Sequence, residues 1–139
     1  MTTIPAVLPD FTLGEPSIDH DHRIIRDLIL ALRDAVADGD TEAQGELGEA
    51  LVRHIKTHFM VEELLMRLYK YPDAEAHVAE HQVVLDRLRR VTTDLRSGDA
   101  PASLRDLDAL LAWRTAHIGQ ADAAYRDYLR NTGALRHLE

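Results

Sequence analysis

Eight histidines stand in this chain against two phenylalanines and one tryptophan, and several of them occupy positions that suit metal chemistry. His58 and Glu62 are four residues apart, as are His77 and His81. On a helix such a pair lies one turn apart on one face, so the two tips can converge on a single point. His22 and His117 add one ring each, and Asp122 adds a second carboxylate. There is no cysteine, which excludes disulfides, iron–sulfur clusters, thiolate zinc sites and covalently attached c-type haem. Imidazole and carboxylate donors without thiolate suit iron, with manganese and zinc as competitors.

Five imidazoles and two carboxylates match a dinuclear site. Two octahedral metals that share two carboxylates and one oxo or hydroxo bridge have three positions each filled by bridges. Five of the six remaining positions then go to the five rings. One position stays open on one metal, where a small ligand can bind. A nitrogen-rich set offers few anionic donors to stabilise high oxidation states. Carboxylate-rich di-iron proteins differ, with Glu ligands and Glu-x-x-His pairs. The balance here favours reversible binding of O2 over its activation.

These residues need elements that carry them to one axis. From residue 18 onward the chain reads as four helices. The first stripe is Ile18, His22, Ile25, Ile29, Leu32 and Val36, spaced by three and four. Gly39 ends it. Thr41 with Gln44 predicts a capping box for the second helix, whose stripe is Leu47, Leu51, His54, His58, Glu62, Leu65 and Tyr69. Tyr71-Pro72 stops it. Asp73 caps the third, with His77, His81, Val84, Leu88, Val91 and Leu95, and Ser97-Gly98 closes it. Ser103 and Asp106 offer a further capping box before Leu107, Leu110, Arg114, His117, Ala121, Tyr125 and Tyr128, and the stretch 131–133 ends the last helix. Short connections predict an all-α, antiparallel up-down-up-down four-helix bundle. The expected organisation is an irregular N-terminal arm over 1–17, the bundle over 18–131 and a C-terminal tail over 132–139. Asp122 stands five residues after His117, which an ideal helix rotates by ~140°. A widened turn between Ile118 and Ala121, eased by Gly119, is therefore predicted, since such turns recur at functional sites.

Bulk properties narrow the partners. At 139 residues the chain fits one domain. With 45% apolar and 29% charged residues it has the profile of a soluble globular protein. A net charge of -8 argues against nucleic acid, whose binding rests on Lys and Arg. No apolar run approaches the ~18 residues of a membrane span. The N-terminus lacks the basic start and apolar stretch of a signal peptide, so a cytoplasmic location is expected.

Four ordered blocks carry a family resemblance: Ile18-Asp19 followed by His22; His58-Phe59 with Glu62-Glu63 and Met66; Tyr71-Pro72 with His77 and His81; and Trp113, His117-Ile118, Asp122 and Tyr125. Over roughly residues 18 to 128 the chain resembles the hemerythrins, specifically the single-domain bacterial kind. The resemblance implies that His77, His81 and His117 bind one iron and that His22 and His58 bind the other, which keeps the O2 position. It implies that Glu62 and Asp122 bridge two Fe ions together with an oxo or hydroxo group. The implied function is reversible binding of dioxygen, or of another small diatomic or anionic ligand, for storage, delivery or sensing. A sensing role would call on a separate protein partner for its output. The competing function is a di-iron enzyme acting on peroxide or nitric oxide, or an iron-handling repair protein. A structural bundle with zinc or without metal fits poorly, since seven polar groups in a dry core would be destabilising.

Other residues carry weaker signals. His20, His54 and His137 are left out of the metal set, although His54, one turn before His58, is either a group behind the ligands or a cap on the cavity. Glu63 reads as a surface group or one behind the ligands, and Trp113 and Tyr125 read as packing. The stretches 87–90 and 38–40 read as solvated surface. Arg114 departs from the family, where a leucine lines the ligand pocket. One reading packs its stem and sends its charge to solvent. The other has the guanidinium gate or polarise the pocket.

Overall fold

The computed structural model describes residues 16–132, with the side chains of 22–117 and 120–131. Four rods run through them. They are α1 (Pro16–Asp38), α2 (Thr41–Leu68), α3 (Ala74–Ser97), and a fourth rod made of α4 (Ala100–His117), a π turn (Ile118–Asp122) and α5 (Ala123–Thr132). Among the described residues there is no strand. α1 packs on α2 and α4, and α3 packs on the same two neighbours. That square of adjacent rods, joined by short connections, is the antiparallel four-helix bundle that the apolar spacing predicts. Helix α1 already begins at Pro16, within the segment expected to be irregular, and proline suits a first helical turn. The rest of the expected N-terminal arm, with His20's side chain and the tail containing His137, lies outside what is described.

The connections are made by glycine and aspartate. Gly39 and Gly98 close α1 and α3 with φ of 70° and 73°, a left-handed conformation that glycine adopts without a Cβ clash. Two caps fall one or more residues earlier than the sequence motifs suggest. Asp40, rather than Thr41, caps α2, its Oδ1 accepting from Ala43 N at 3.1 Å. Gln44 instead donates to Ala35 O at 3.2 Å and ties α2 to the end of α1. Asp99, rather than Ser103, caps α4 through Ala102 N at 3.0 Å. Ser103 sits buried in the first turn, its hydroxyl donating to Asp99 O at 2.9 Å. Pro101, with no N–H to satisfy, fits the first turn that this register gives it. Asp73 precedes α3 as expected but serves it through its backbone carbonyl, which accepts from His77 N at 3.0 Å.

The apolar core falls into two clusters. The larger contains Ile29, Leu32, Leu51, Ile55, Val84, Leu88, Leu107 and Leu110. The smaller contains Met66, Tyr71, Tyr125 and Leu129. Along α2, α3 and the fourth rod, the predicted polar residues lie in sequence between the two. Apolar layers thus enclose a polar one, and burial at about 1.5–3 kcal/mol per large side chain offsets the cost of holding it there. Tyr128, on α5, donates its hydroxyl to the carbonyls of Tyr69 and Lys70. That contact fixes the turn after α2, where Lys70 takes a positive φ of 53°.

Candidate metal centre

All seven predicted side chains are buried: His22, His58, Glu62, His77, His81, His117 and Asp122. Each rod contributes. α1 supplies His22, α2 supplies His58 and Glu62, α3 supplies His77 and His81, and the fourth rod supplies His117 and Asp122. The structure gathers them into two overlapping groups, one of Glu62, His77, His81 and His117 and one of His22, His58, Glu62 and Asp122, with donor atoms within 4.8 Å of one another in each.

The carboxylates divide their oxygens between these groups. Glu62 Oε2 lies 2.5 Å from His58 Nε2, while Oε1 lies 3.2 Å from His77 Nε2 and 3.3 Å from His81 Nε2. Asp122 Oδ2 lies 2.9 Å from His22 Nε2, while Oδ1 lies 2.8 Å from His117 Nε2 and 3.1 Å from His77 Nε2. One acid oxygen therefore faces each of two nitrogen sets.

Closeness here is not the same as hydrogen bonding. His22 Nε2, His81 Nε2, His117 Nε2 and Asp122 Oδ1 are buried with no partner of hydrogen-bonding geometry, although each lies within 3.3 Å of an atom of opposite type. They sit instead among the two groups of donor atoms that lie within 4.8 Å of one another. Orphaned buried polar atoms are costly, and cations held within those groups would satisfy them. The residues present therefore fit a pair of metal ions.

Electrostatics agrees with that arrangement. Burial and the charge of His58 act in opposite senses on Glu62, and with His77 and His81 the imidazoles prevail, holding its carboxyl well below the ordinary range. Burial and Glu62 push Asp122 up, but His117, His22 and His77 overcome both and hold it down. Burial lowers His77, yet Asp122 and Glu62 outweigh it and raise it to about 9. Both acids thus stay ionised, the form that metals require.

The fourth rod brings its two groups together through the π turn at Ile118–Asp122. The wider turn offsets the ~140° rotation that five α-helical steps would impose, as the spacing predicts.

Further side chains hold the rings. The Phe59 ring stacks on His81 at 3.7 Å and 4°, and Trp113 stacks on His117 at 4.4 Å and 17°. Tyr125 is buried, its hydroxyl 3.4 Å from Glu62 O, and burial followed by the charges of Glu62 and Asp122 raises its pKa. Glu80, which the sequence reading passed over, accepts from His117 Nδ1 at 2.8 Å. Its signal is faint, since it is 37 residues from His117. Glu63, half-buried, stands 3.9 Å from His81 Nδ1. His54 is exposed on α2 and neither backs the ligands nor caps the cavity. The buried arc of α2 runs through Leu51, His58, Glu62, Ile55, Met66 and Phe59, and His54 falls ~40° outside it beyond His58.

A cavity of about 30 Å³ adjoins the group with fewer imidazoles. His22, His58 and Asp122 line it, with Ile25, Ile29, Ile55, Phe59 and Arg114 among the other walls. Arg114 is 5% exposed, and its Nη2 donates to His22 O at 2.9 Å. Its charge is therefore inside the bundle and not in solvent, which overturns the first of its two readings.

The chain is similar to known proteins over most of its length. The chain is 31% identical to a bacteriohemerythrin of Pseudomonas paraeruginosa over 124 residues, which is 88% of this chain and 80% of that protein. It is 32% identical to one of Methylococcus capsulatus over 111 residues, 77% of this chain and 82% of that protein. It is 28% identical to a myohemerythrin of Theromyzon tessulatum over 119 residues, 86% of this chain and 88% of that protein. The family model of the hemerythrin HHE cation binding domain matches residues 14–129, and with the four rods and the convergent side chains this shows that the chain belongs to the hemerythrin family.

Proposed function

We propose that this protein binds O2 reversibly at a pair of iron ions held by seven side chains. The observation that carries the reading is the division of each carboxylate between two nitrogen sets. Glu62 and Asp122 would each serve both ions, His77, His81 and His117 would hold one, and His22 and His58 would hold the other, beside the cavity where a ligand would sit. A ferrous pair supplies the two electrons that reversible binding of O2 draws on.

The chain's own residues do the rest. Phe59 and Trp113 stack on His81 and His117 and limit ring rotation. Apolar side chains, among them Ile25, Ile29, Ile55 and Phe59, make up most of the cavity's walls and disfavour water there. Among the described residues no helix is long and apolar enough to cross a membrane, and a small ligand that reaches the cavity by diffusion fits a carrier or store.

The test is optical and anaerobic. The full chain is loaded with iron, reduced and exposed to air. The expected result is an O2-dependent absorption band that vanishes on deoxygenation and returns over repeated cycles. Irreversible oxidation in the first cycle, or steady consumption of peroxide, would favour an enzyme instead.

A further inference from the structure

We propose that the outer groove between α2 and α3 docks an acidic amphipathic helix of a partner protein. The proposal is independent of the metal reading, since none of the seven buried donors lines this groove. The groove has a volume of about 820 Å³ and is flanked by 41–56 of α2 and 85–96 of α3. That stretch of α2 is roughly 22 Å long, about four helical turns, which is the span of a docked helix. The floor is apolar. Leu88 belongs to the larger core cluster, and Val52, Leu85 and Leu95 pack against it. Such a trough receives the apolar face of a helix, through side chains three and four positions apart.

Gly45 and Gly48 open the groove. Both sit inside α2, and neither has the positive φ of Gly39 and Gly98. A Cβ at Gly45 would meet nothing within 4 Å, and one at Gly48 would make ordinary contact with Leu95 Cδ1 at 3.5 Å. The chain's own packing therefore does not require glycine at either place, although glycine is a poor helix former. The missing side chains leave room for another backbone to come close. Charge sets the chemistry of that partner. Arg53, Lys56, Arg89 and Arg96, four of the chain's 16 Lys and Arg, line the groove and are exposed, against Glu49 alone of its 24 Asp and Glu. Asp86 engages Arg89, which leaves three cations on two facing rims. In a chain whose net charge is -8 this patch of opposite sign favours an acidic occupant. Two copies of the chain repel one another as a whole, which favours a different protein over a second copy.

The probe is a labelled synthetic peptide of about four helical turns, with leucine along one stripe and glutamate elsewhere. Its control carries lysine in place of each glutamate. Binding to the full chain is read by fluorescence anisotropy. The acidic peptide should bind at least about tenfold more tightly than the basic one. Two variants test the place. Gly45→Leu fills the groove from open space and should keep parental helicity. The double variant Arg53→Glu, Lys56→Glu reverses exposed charges alone. Each should weaken the acidic peptide by about tenfold or more, and the second is decisive if the first perturbs the helix. No binding of the acidic peptide, equal binding of the two peptides, or a folded variant that binds the acidic peptide as tightly as the parent overturns the proposal. A parent that sediments as a dimer, with Gly45→Leu a monomer, assigns the groove to a second copy and overturns it as well.

Discussion

Glu80 Oε2 lies 2.8 Å from His117 Nδ1, on the ring nitrogen opposite the one that faces Asp122. A carboxylate accepts and cannot donate when ionised, so this contact keeps the proton on Nδ1 and leaves the Nε2 lone pair directed into the site. Glu80 is half exposed, so its contribution is orientation and not bulk stability. Replacement by alanine should lower metal affinity by about 10–100-fold while the thermal melt of the metal-free chain stays near that of the parent. Competition with a chelator of known affinity measures the first, and circular dichroism the second. Unchanged metal affinity would remove Glu80 from the account.

The π turn at Ile118–Asp122 is the second place where local structure serves the site. Its wider hydrogen-bond pattern is rare in helices and costs stability, so it persists where function needs it. In the metal-free chain, amides of this turn should exchange with solvent faster than those around Leu107 and Leu110 in α4. Metal should slow them selectively, because it ties Asp122 and His117 to a common centre. Hydrogen exchange read by mass spectrometry reports both. Equal protection of the two segments without metal would contradict the assignment.

His77 gives the pH dependence. Burial lowers its pKa, but Asp122 and Glu62 raise it from an ordinary 6.5 to about 9. A folded-state value above the unfolded one means stability that is complete below about 6.5 and lost as pH rises through about 9. Glu62 and Asp122 have the opposite sign: their contribution is present above their ordinary values of 4.5 and 3.8 and lost on acidification. The metal-free chain should therefore melt highest between about pH 4.5 and 6.5. Metal must displace the His77 proton. Apparent affinity should rise with pH up to about 9, with proton release seen by calorimetry in buffers of different ionisation enthalpy. Affinity that is flat from pH 6.5 to 9 would contradict this.

The core should respond as an ordinary packed interior. Leu107 is fully buried among residues of the other rods. Leu107→Ala should destabilise the chain by about 2–5 kcal/mol, read by chemical denaturation, and lower the amount of metal bound only as far as it unfolds the bundle. A cost below about 1 kcal/mol would show that the layer collapses around the gap.

Much of the fold was legible because its signals are local. Ile25, Ile29, Leu32 and Val36 repeat at helical spacing, and Gly39 and Gly98 mark ends that only a few residue types tolerate. The convergence of seven polar groups was legible for the same reason, since His58 with Glu62 and His77 with His81 share helical faces. Even the five-residue step from His117 to Asp122 announced its own distortion. What stayed hidden depends on small differences or distant contacts. Asp40 and Asp99 compete with Thr41 and Ser103 for the same capping duty one turn or less away, and sequence alone weighs them alike. His54 shares its spacing with His58, yet the centre of the buried arc of α2 leaves it outside. Glu80 meets His117 across two rods, and the direction of the Arg114 side chain is set by His22 O from a third. None of these has a signature along the chain.

The central claim is that Glu62 and Asp122 each join two metals. The most direct measurement is the iron content of the purified, anaerobically loaded chain and of Glu62→Gln and Asp122→Asn. The account predicts two irons per chain in the parent and a loss of at least one in each variant, with helicity retained. One iron per chain in the parent, or two in a variant lacking either acid, would contradict it.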